Sequence, residues 1–120
     1  MSIVTYGPYS PAFKAGDYIF ASGQVGFTDP DTGKDIKGIE AQTKQCLNNM
    51  KGVLASVGSS LSDVVKVTVF LRNMDDFTKM NEAYQSYFPE KKPARSTVIT
   101  GLVNPKMLIE IECIAYRPSV

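Results

Sequence analysis

Residues 64–71 read VVKVTVFL, a run dense in β-branched side chains that only Lys66 and Thr68 interrupt. Such a run predicts an interior strand at the centre of a sheet. The rest of the chain must then supply the strands beside it and the layer that covers it.

On the N-terminal side, Ile39, Cys46, Leu47, Met50, Val53, Leu54 and Val57 recur at helical spacing, and Gly58 follows as a stop. On the C-terminal side, Asp75 or Asp76 can cap a second helix whose face is Phe77, Met80, Tyr84, Tyr87 and Phe88, and Pro89 halts it. This aromatic stripe reads as core or interface rather than as a cofactor box. The chain opens with short strands at 12–14 and 18–22, a hairpin around Ala15-Gly16-Asp17, and a polar loop over 28–37. It closes with strands at 95–103 and 106–116, read as a second hairpin turning at Asn104-Pro105. The order ββ-α-β-α-ββ predicts one α+β domain over residues 1–120, a sandwich of one sheet and two helices.

Composition removes whole classes of function. Thirteen basic and twelve acidic side chains leave a formal charge of +1, and the longest block of like charge is Lys91-Lys92, so the footprint of a nucleic-acid binder is absent. Residues 1–8 lack a charged leader and an apolar run, and no apolar stretch approaches the roughly 20 residues that span a bilayer. A soluble, cytoplasmic protein without a membrane partner is therefore expected. Cys46 and Cys113 each sit in an apolar periodic segment, which suits reduced, buried thiols. The chain contains no histidine, which removes the commonest general base, the commonest metal ligand and every Ser-His or Cys-His triad. Asp29, Asp31 and Asp35 lie beside Pro30 and Gly33, where a polar turn explains them, so no metal is assigned.

Chemistry must then come from carboxylates, Arg, Tyr, hydroxyls or backbone. Arg95, between Pro93-Ala94 and Ser96-Thr97, can hold a carboxylate through two parallel hydrogen bonds; taken alone it reads first as a solvated strand-end arginine. Glu110 alternates with Ile109 and Ile111 and so points away from the face they bury, as a surface carboxylate would. If Asn104-Pro105 is a two-residue loop, Arg95 faces Ile114, and Arg95 and Glu110 share one sheet face four residues apart, roughly 13 Å at about 3.4 Å per residue. That distance is long for one small ligand, and a neighbouring subunit could supply the missing wall. Gly7-Pro8-Tyr9 reads as a turn with an aromatic, and Ser22-Gly23-Gln24 as a strand end whose glycine admits a close approach. Asn81 breaks the apolar face of the second helix, where its amide could cap backbone or reach a ligand.

Taken in order, these segments resemble the reactive-intermediate deaminase (Rid, or YjgF) family across nearly the whole chain. The resemblance is carried by Gly7-Pro8-Tyr9-Ser10-Pro11-Ala12, by Ser22-Gly23-Gln24, and by Val67-Thr68-Val69-Phe70-Leu71 with Asp76-Phe77. It is strongest at Pro93-Ala94-Arg95-Ser96 with Ile109-Glu110-Ile111-Glu112 downstream. It implies a chorismate-mutase-like α+β fold, one mixed sheet with two helices on one face, and a homotrimer with clefts between subunits. It further implies cofactor-free hydrolysis of 2-imino acids, such as 2-aminoacrylate and 2-iminobutanoate, to 2-keto acids and ammonia. By motif position, Arg95 would hold the substrate carboxylate and Glu110 would position or deprotonate water. Tyr9, Ser22, Gly23 and Asn81 would line the cleft, and the backbone at Thr97 would touch the substrate. Two positions depart from the family pattern: Thr97 stands where many members have Cys, and Val103-Asn104 replaces a Leu-Pro pair.

The lack of histidine is compatible with this chemistry, because a protonated imine is already electrophilic and needs only a carboxylate clamp, a placed water and a proton acceptor. Two rivals stand beside it. One is an endoribonuclease or translation inhibitor, which the near-neutral charge disfavours; the other is a non-catalytic carboxylate binder or chaperone-like trimer using the same cleft.

Overall fold

The computed structural model describes residues 3–118, so the first two and last two positions of the expected 1–120 domain lie outside it. Strand β1 (Ala12–Ala15) pairs with β2 (Tyr18–Val25) in an antiparallel hairpin. Ala15 faces Tyr18 across a two-residue loop, and Gly16 takes φ 59°, a left-handed value that favours glycine. Helix α1 (Ile39–Ala55) buries Ile39, Cys46, Leu47, Met50, Val53 and Leu54, the stripe its spacing predicts. It closes through the Gly58 N–H to Ala55 O and Ser59 N–H to Leu54 O bonds, with Gly58 at φ 79°.

Strand β3 (Val64–Leu71) has the bounds expected of it, and helix α2 (Phe77–Gln85) follows a 3-10 turn over Met74–Asp76. The expected aspartate cap is not formed: Asp76 occupies the N-cap position without a side-chain bond to the helix. Tyr87 and Phe88 lie past the last helical residue, although Phe88 still buries its ring. Strands β4 (Ala94–Ile99) and β5 (Ile109–Tyr116) complete the chain.

The sheet is mixed, in the order β1-β2-β5-β3-β4, with β3 and β4 parallel and every other pair antiparallel. Two expectations change here. The second hairpin does not exist: β4 runs beside β3 through α2, and β5 inserts between β2 and β3. The central strand is β5, and β3 is its interior neighbour. The reason lies in residues 100–108, which cross the end of β3 rather than turning back on β4. Asn104-Pro105 does form a tight turn, since Met107 N–H reaches Asn104 O at 3.0 Å and Lys106 N–H reaches Asn104 Oδ1 at 2.9 Å. Arg72, just past β3, catches the crossing: its Nε donates to Met107 O at 2.7 Å and its Nη2 to Asn104 O at 2.9 Å. Gln42 on α1 holds the same segment, donating to Lys106 O and Ile36 O and accepting from Leu108 N–H, each at 2.9 Å.

Both helices pack on one sheet face, where Ile19, Ala21, Val67, Val69, Leu71, Ile109, Ile111, Cys113 and Ala115 meet Leu47, Met50, Leu54, Met80 and Tyr84. Apolar burial of this kind contributes about 25 cal/mol per Å². The opposite face carries no helix, and Phe13, Tyr18, Phe20, Val98 and Tyr116 stand exposed on it, Phe13 at 67%. Exposed apolar side chains gathered on the helix-free face in this way mark an interaction surface.

Candidate functional site

The first group of candidate residues forms at an irregularity in β2. Ala21 pairs with Cys113 and Gln24 with Ile111, so Ser22 and Gly23 together oppose the single residue Glu112. This bulge re-aims the strand locally. Ser22 uses it to bind the preceding segment, donating its Oγ to Ser10 O at 2.6 Å and its N–H to Pro11 O at 2.9 Å. That anchors the turn containing Tyr9, whose hydroxyl accepts the Tyr6 N–H at 3.1 Å. Tyr6, Tyr9, Ser22, Gly23, Glu110 and Glu112 then line one open groove on the helix-free side.

Gly23 is fixed by its neighbour: a Cβ there would run into the Glu110 carboxylate and lie 2.8 Å from its Cδ. Glu110 is half-buried, and that burial, followed by the charge of Glu112, raises its pKa above the ordinary glutamate value of 4.5. Among the described residues no cation pairs with it.

The second group forms between β4 and α2. Arg95 pairs with the buried Val67 and shares its face, so its side chain enters the helix layer. There its guanidinium lies 4.9 Å from the Tyr84 ring centroid and 5.9 Å from that of Phe77. Asn81 lies on the same α2 face, between Phe77 and Tyr84 by helical spacing, and Thr97 follows Arg95 on the same side of β4. Asn81 Oδ1, Tyr84 Oη and Thr97 Oγ1 are all buried without a hydrogen-bond partner. Buried polar atoms are normally paired, and these three lie on the sides of α2 and β4 that also carry Arg95. Arg95 itself makes no ion pair or hydrogen bond among the described residues.

The structure therefore divides the seven predicted site residues into two sets, Tyr9, Ser22, Gly23 and Glu110 against Asn81, Arg95 and Thr97. The expectation that Arg95 and Glu110 share a face is wrong, and its cause is the missing hairpin. Arg95 aligns with Val67 and Glu110 with Phe70, an odd offset of three residues, which puts them on opposite faces. They are also two strands apart, about 10 Å across and about 10 Å along the sheet from standard spacings. Sequence reasoning missed Tyr84 and Phe77 as the floor beneath Arg95. The signal was the spacing of Phe77, Asn81 and Tyr84, which puts an amide between two rings on one helix face.

Among the described residues no helix is long and apolar enough to cross a membrane. The family model described as endoribonuclease L-PSP matches residues 1–117. A RutC family protein of Pyrococcus horikoshii is 53% identical over 112 residues, covering 92% of this chain and 88% of its own. The chloroplastic Reactive Intermediate Deaminase A of Arabidopsis thaliana is 46% identical over 110 residues, 91% of this chain and 58% of its own. Among solved structures, Escherichia coli TdcF with bound serine superposes with a TM-score of 0.87 at 33% identity, covering 94% of this chain and 91% of that one.

Proposed function

Because this chain belongs to the endoribonuclease L-PSP family, the YjgF/Rid family that includes reactive intermediate deaminases, we propose that it is a cytoplasmic, cofactor-free hydrolase of small 2-imino acids, of which 2-iminobutanoate and 2-aminoacrylate are the type. The observation that carries this reading is the placement of an unpaired cation and an unpaired carboxylate on opposite faces of one sheet. Neither can reach the other's ligand within one chain. Both can reach one small molecule when the α2–β4 edge of one subunit meets the bare apolar face of the next, and a homotrimer closes that head-to-tail contact into a ring. The serine bound to TdcF, a small molecule bearing a carboxylate, supports a ligand of this size.

In that cleft Arg95 binds the substrate carboxylate through two parallel hydrogen bonds, with Asn81 and the Thr97 backbone beside it. Glu110, from the neighbouring subunit, accepts a proton from a water as the water oxygen bonds to the imine carbon. The resulting carbinolamine takes that proton from Glu110 on nitrogen. The C–N bond breaks with its electron pair leaving on ammonia, which takes up the hydroxyl proton as the ketone forms, so that a protonated imine and one water give a 2-keto acid and an ammonium ion. The raised pKa of Glu110 suits a group that must both accept and return a proton. Tyr9, Ser22 and Gly23 shape the wall on the Glu110 side.

The test generates imines with an amino-acid oxidase and follows their loss by semicarbazide trapping. Wild-type protein is expected to accelerate hydrolysis above the spontaneous rate and Arg95→Ala to abolish the acceleration while remaining folded. Near-normal turnover in Arg95→Ala overturns the reading. RNA cleavage that survives purification to homogeneity and disappears in Arg95→Ala would favour the ribonuclease rival.

A further inference from the structure

We propose that Tyr84 is the positioning residue for Arg95, holding the guanidinium by its ring so that all five N–H donors stay free for a ligand. The inference rests on the proposed clamp role of Arg95, and nothing in the family pattern above assigns a role to Tyr84. An arginine entering a helix layer ordinarily finds a carboxylate or carbonyl, because a desolvated cation without compensation is costly. Arg95 has neither among the described residues; what it has is the Tyr84 ring at 4.9 Å, with Phe77 at 5.9 Å. A ring face attracts the cation electrostatically without occupying its hydrogen-bond donors, which an ion pair would consume. The guanidinium is thereby oriented before any carboxylate arrives, and less ordering remains to be done on binding.

Tyr84 belongs to the core cluster, and core packing accounts for its ring but not for the polar hydroxyl it carries there. Its side chain is 8% exposed, and its hydroxyl is buried without a partner, so no hydrogen bond fixes the residue. Burial pushes that hydroxyl up to about 12, so it stays protonated at neutral pH and offers Arg95 no counter-charge. The ring is therefore the part that acts on Arg95. Its packing on Phe88, with centroids 4.9 Å apart, ties the clamp to the core.

The experiment compares wild type, Tyr84→Phe, Tyr84→Leu, Arg95→Ala and the Tyr84→Leu/Arg95→Ala double variant. Three quantities are read: calorimetric affinity for 2-oxobutanoate, KM and kcat for imine hydrolysis, and the Arg95 Nε–Hε resonance in the ligand-free protein. Tyr84→Leu is expected to weaken 2-oxobutanoate binding about 3- to 30-fold, the range of a single cation–π contact. KM should rise by the same factor with kcat held within about twofold, because the lost interaction is present in ground and transition states alike. The Arg95 Hε resonance, shifted by the ring in wild type, should move to its random-coil position. Tyr84→Phe should restore all three and raise the melting temperature, since it removes an unpaired buried hydroxyl.

The proposal is overturned if Tyr84→Phe behaves like Tyr84→Leu, or if Tyr84→Leu weakens binding equally in the Arg95→Ala background. A wild-type Hε resonance at its random-coil position also overturns it, and that readout decides the matter if Tyr84→Leu does not fold. Arg95→Ala binding 2-oxobutanoate as tightly as wild type has a different meaning: it sinks the clamp reading, while the Hε shift still reports whether the stack exists.

Discussion

Gly23 and Glu110 occupy one volume: the α-hydrogen of the first faces the carboxylate of the second, and a methyl group at position 23 would meet it. The bulge at Ser22-Gly23 brings β2 onto the carboxylate, which loses water on that side, and the raised Glu110 pKa follows from this burial. Gly23→Ala should therefore leave the fold intact, because the clash is with the flexible end of a side chain. The carboxylate has to move instead. A displacement of about 1 Å at a reacting group can cost on the order of 10²-fold, so kcat should fall by that order with circular dichroism unchanged. An unaltered kcat would mean that the carboxylate position is not critical.

The same carboxylate sets the pH dependence. If Glu110 must be ionised to accept a proton, activity is lost as pH falls through its pKa, so the acid limb of kcat/KM lies above 4.5. Burial is the larger cause and the Glu112 charge the smaller, so Glu112→Gln should move the limb down part of the way. A limb that does not respond to Glu112→Gln belongs to another group.

Stability runs in the opposite sense to activity at this position. A carboxyl whose pKa is raised by folding binds its proton more tightly in the native state, so its favourable contribution is greatest at low pH and is lost as pH rises towards the folded value. Replacing it with a neutral isostere removes that loss. Glu110→Gln should thus melt at or above the wild-type temperature at pH 7 while kcat falls 10²- to 10⁴-fold and 2-oxobutanoate affinity is retained. Equal loss of affinity and turnover would assign Glu110 to holding the groove rather than to moving protons.

How far the sequence could be read is decided by a few residues. Local signals carried the elements: the β-branched run 64–71 appears as β3, with Val64, Val67, Val69 and Leu71 buried and Val65 exposed, and the Ile39-to-Leu54 stripe appears as α1 with its expected burial. The tight turn at Asn104-Pro105 was also legible, yet the inference drawn from it was wrong. A turn fixes the local backbone, whereas the partner of β5 depends on where residues 100–108 travel, and Arg72 and Gln42 decide that through long-range bonds. Arg95 and Glu110 could be picked out one by one, but their opposite faces follow from sheet order, which no local pattern encodes. Gly23 signalled a close approach without revealing that Glu110 makes it.

Arg72 gives that explanation a test. Its guanidinium donates to two carbonyls of the crossing loop, and charge-assisted bonds contribute about 1.5 to 3 kcal/mol when both groups are buried, less when water shares them. Arg72→Met should keep the apolar stem and lose both bonds, lowering stability by on the order of 2 kcal/mol in urea denaturation. The loop carries Val103 and Met107, which border the Glu110 groove, so KM should rise as well. Unchanged stability would show that Gln42 holds the crossing alone.

The proposed division of the site between neighbouring chains of a homotrimer makes the sharpest prediction. Arg95→Ala and Glu110→Gln proteins should each be inactive, because every cleft of either homotrimer lacks one of the two groups. When equal amounts are dissociated and reassembled together, a ring built from both variants contains one cleft whose arginine and glutamate both come from unmutated positions. Random assembly of a cyclic trimer then restores about a quarter of the wild-type clefts. Turnover should recover to about that level, and sedimentation should show trimers before and after mixing. Phe20→Lys on the bare face should prevent the recovery, since it puts a charge into the apolar surface on which the subunits would meet, beside Phe13 and Ile114. If both groups acted from one chain, every cleft of every mixed ring would still carry a mutation, and mixing would restore nothing.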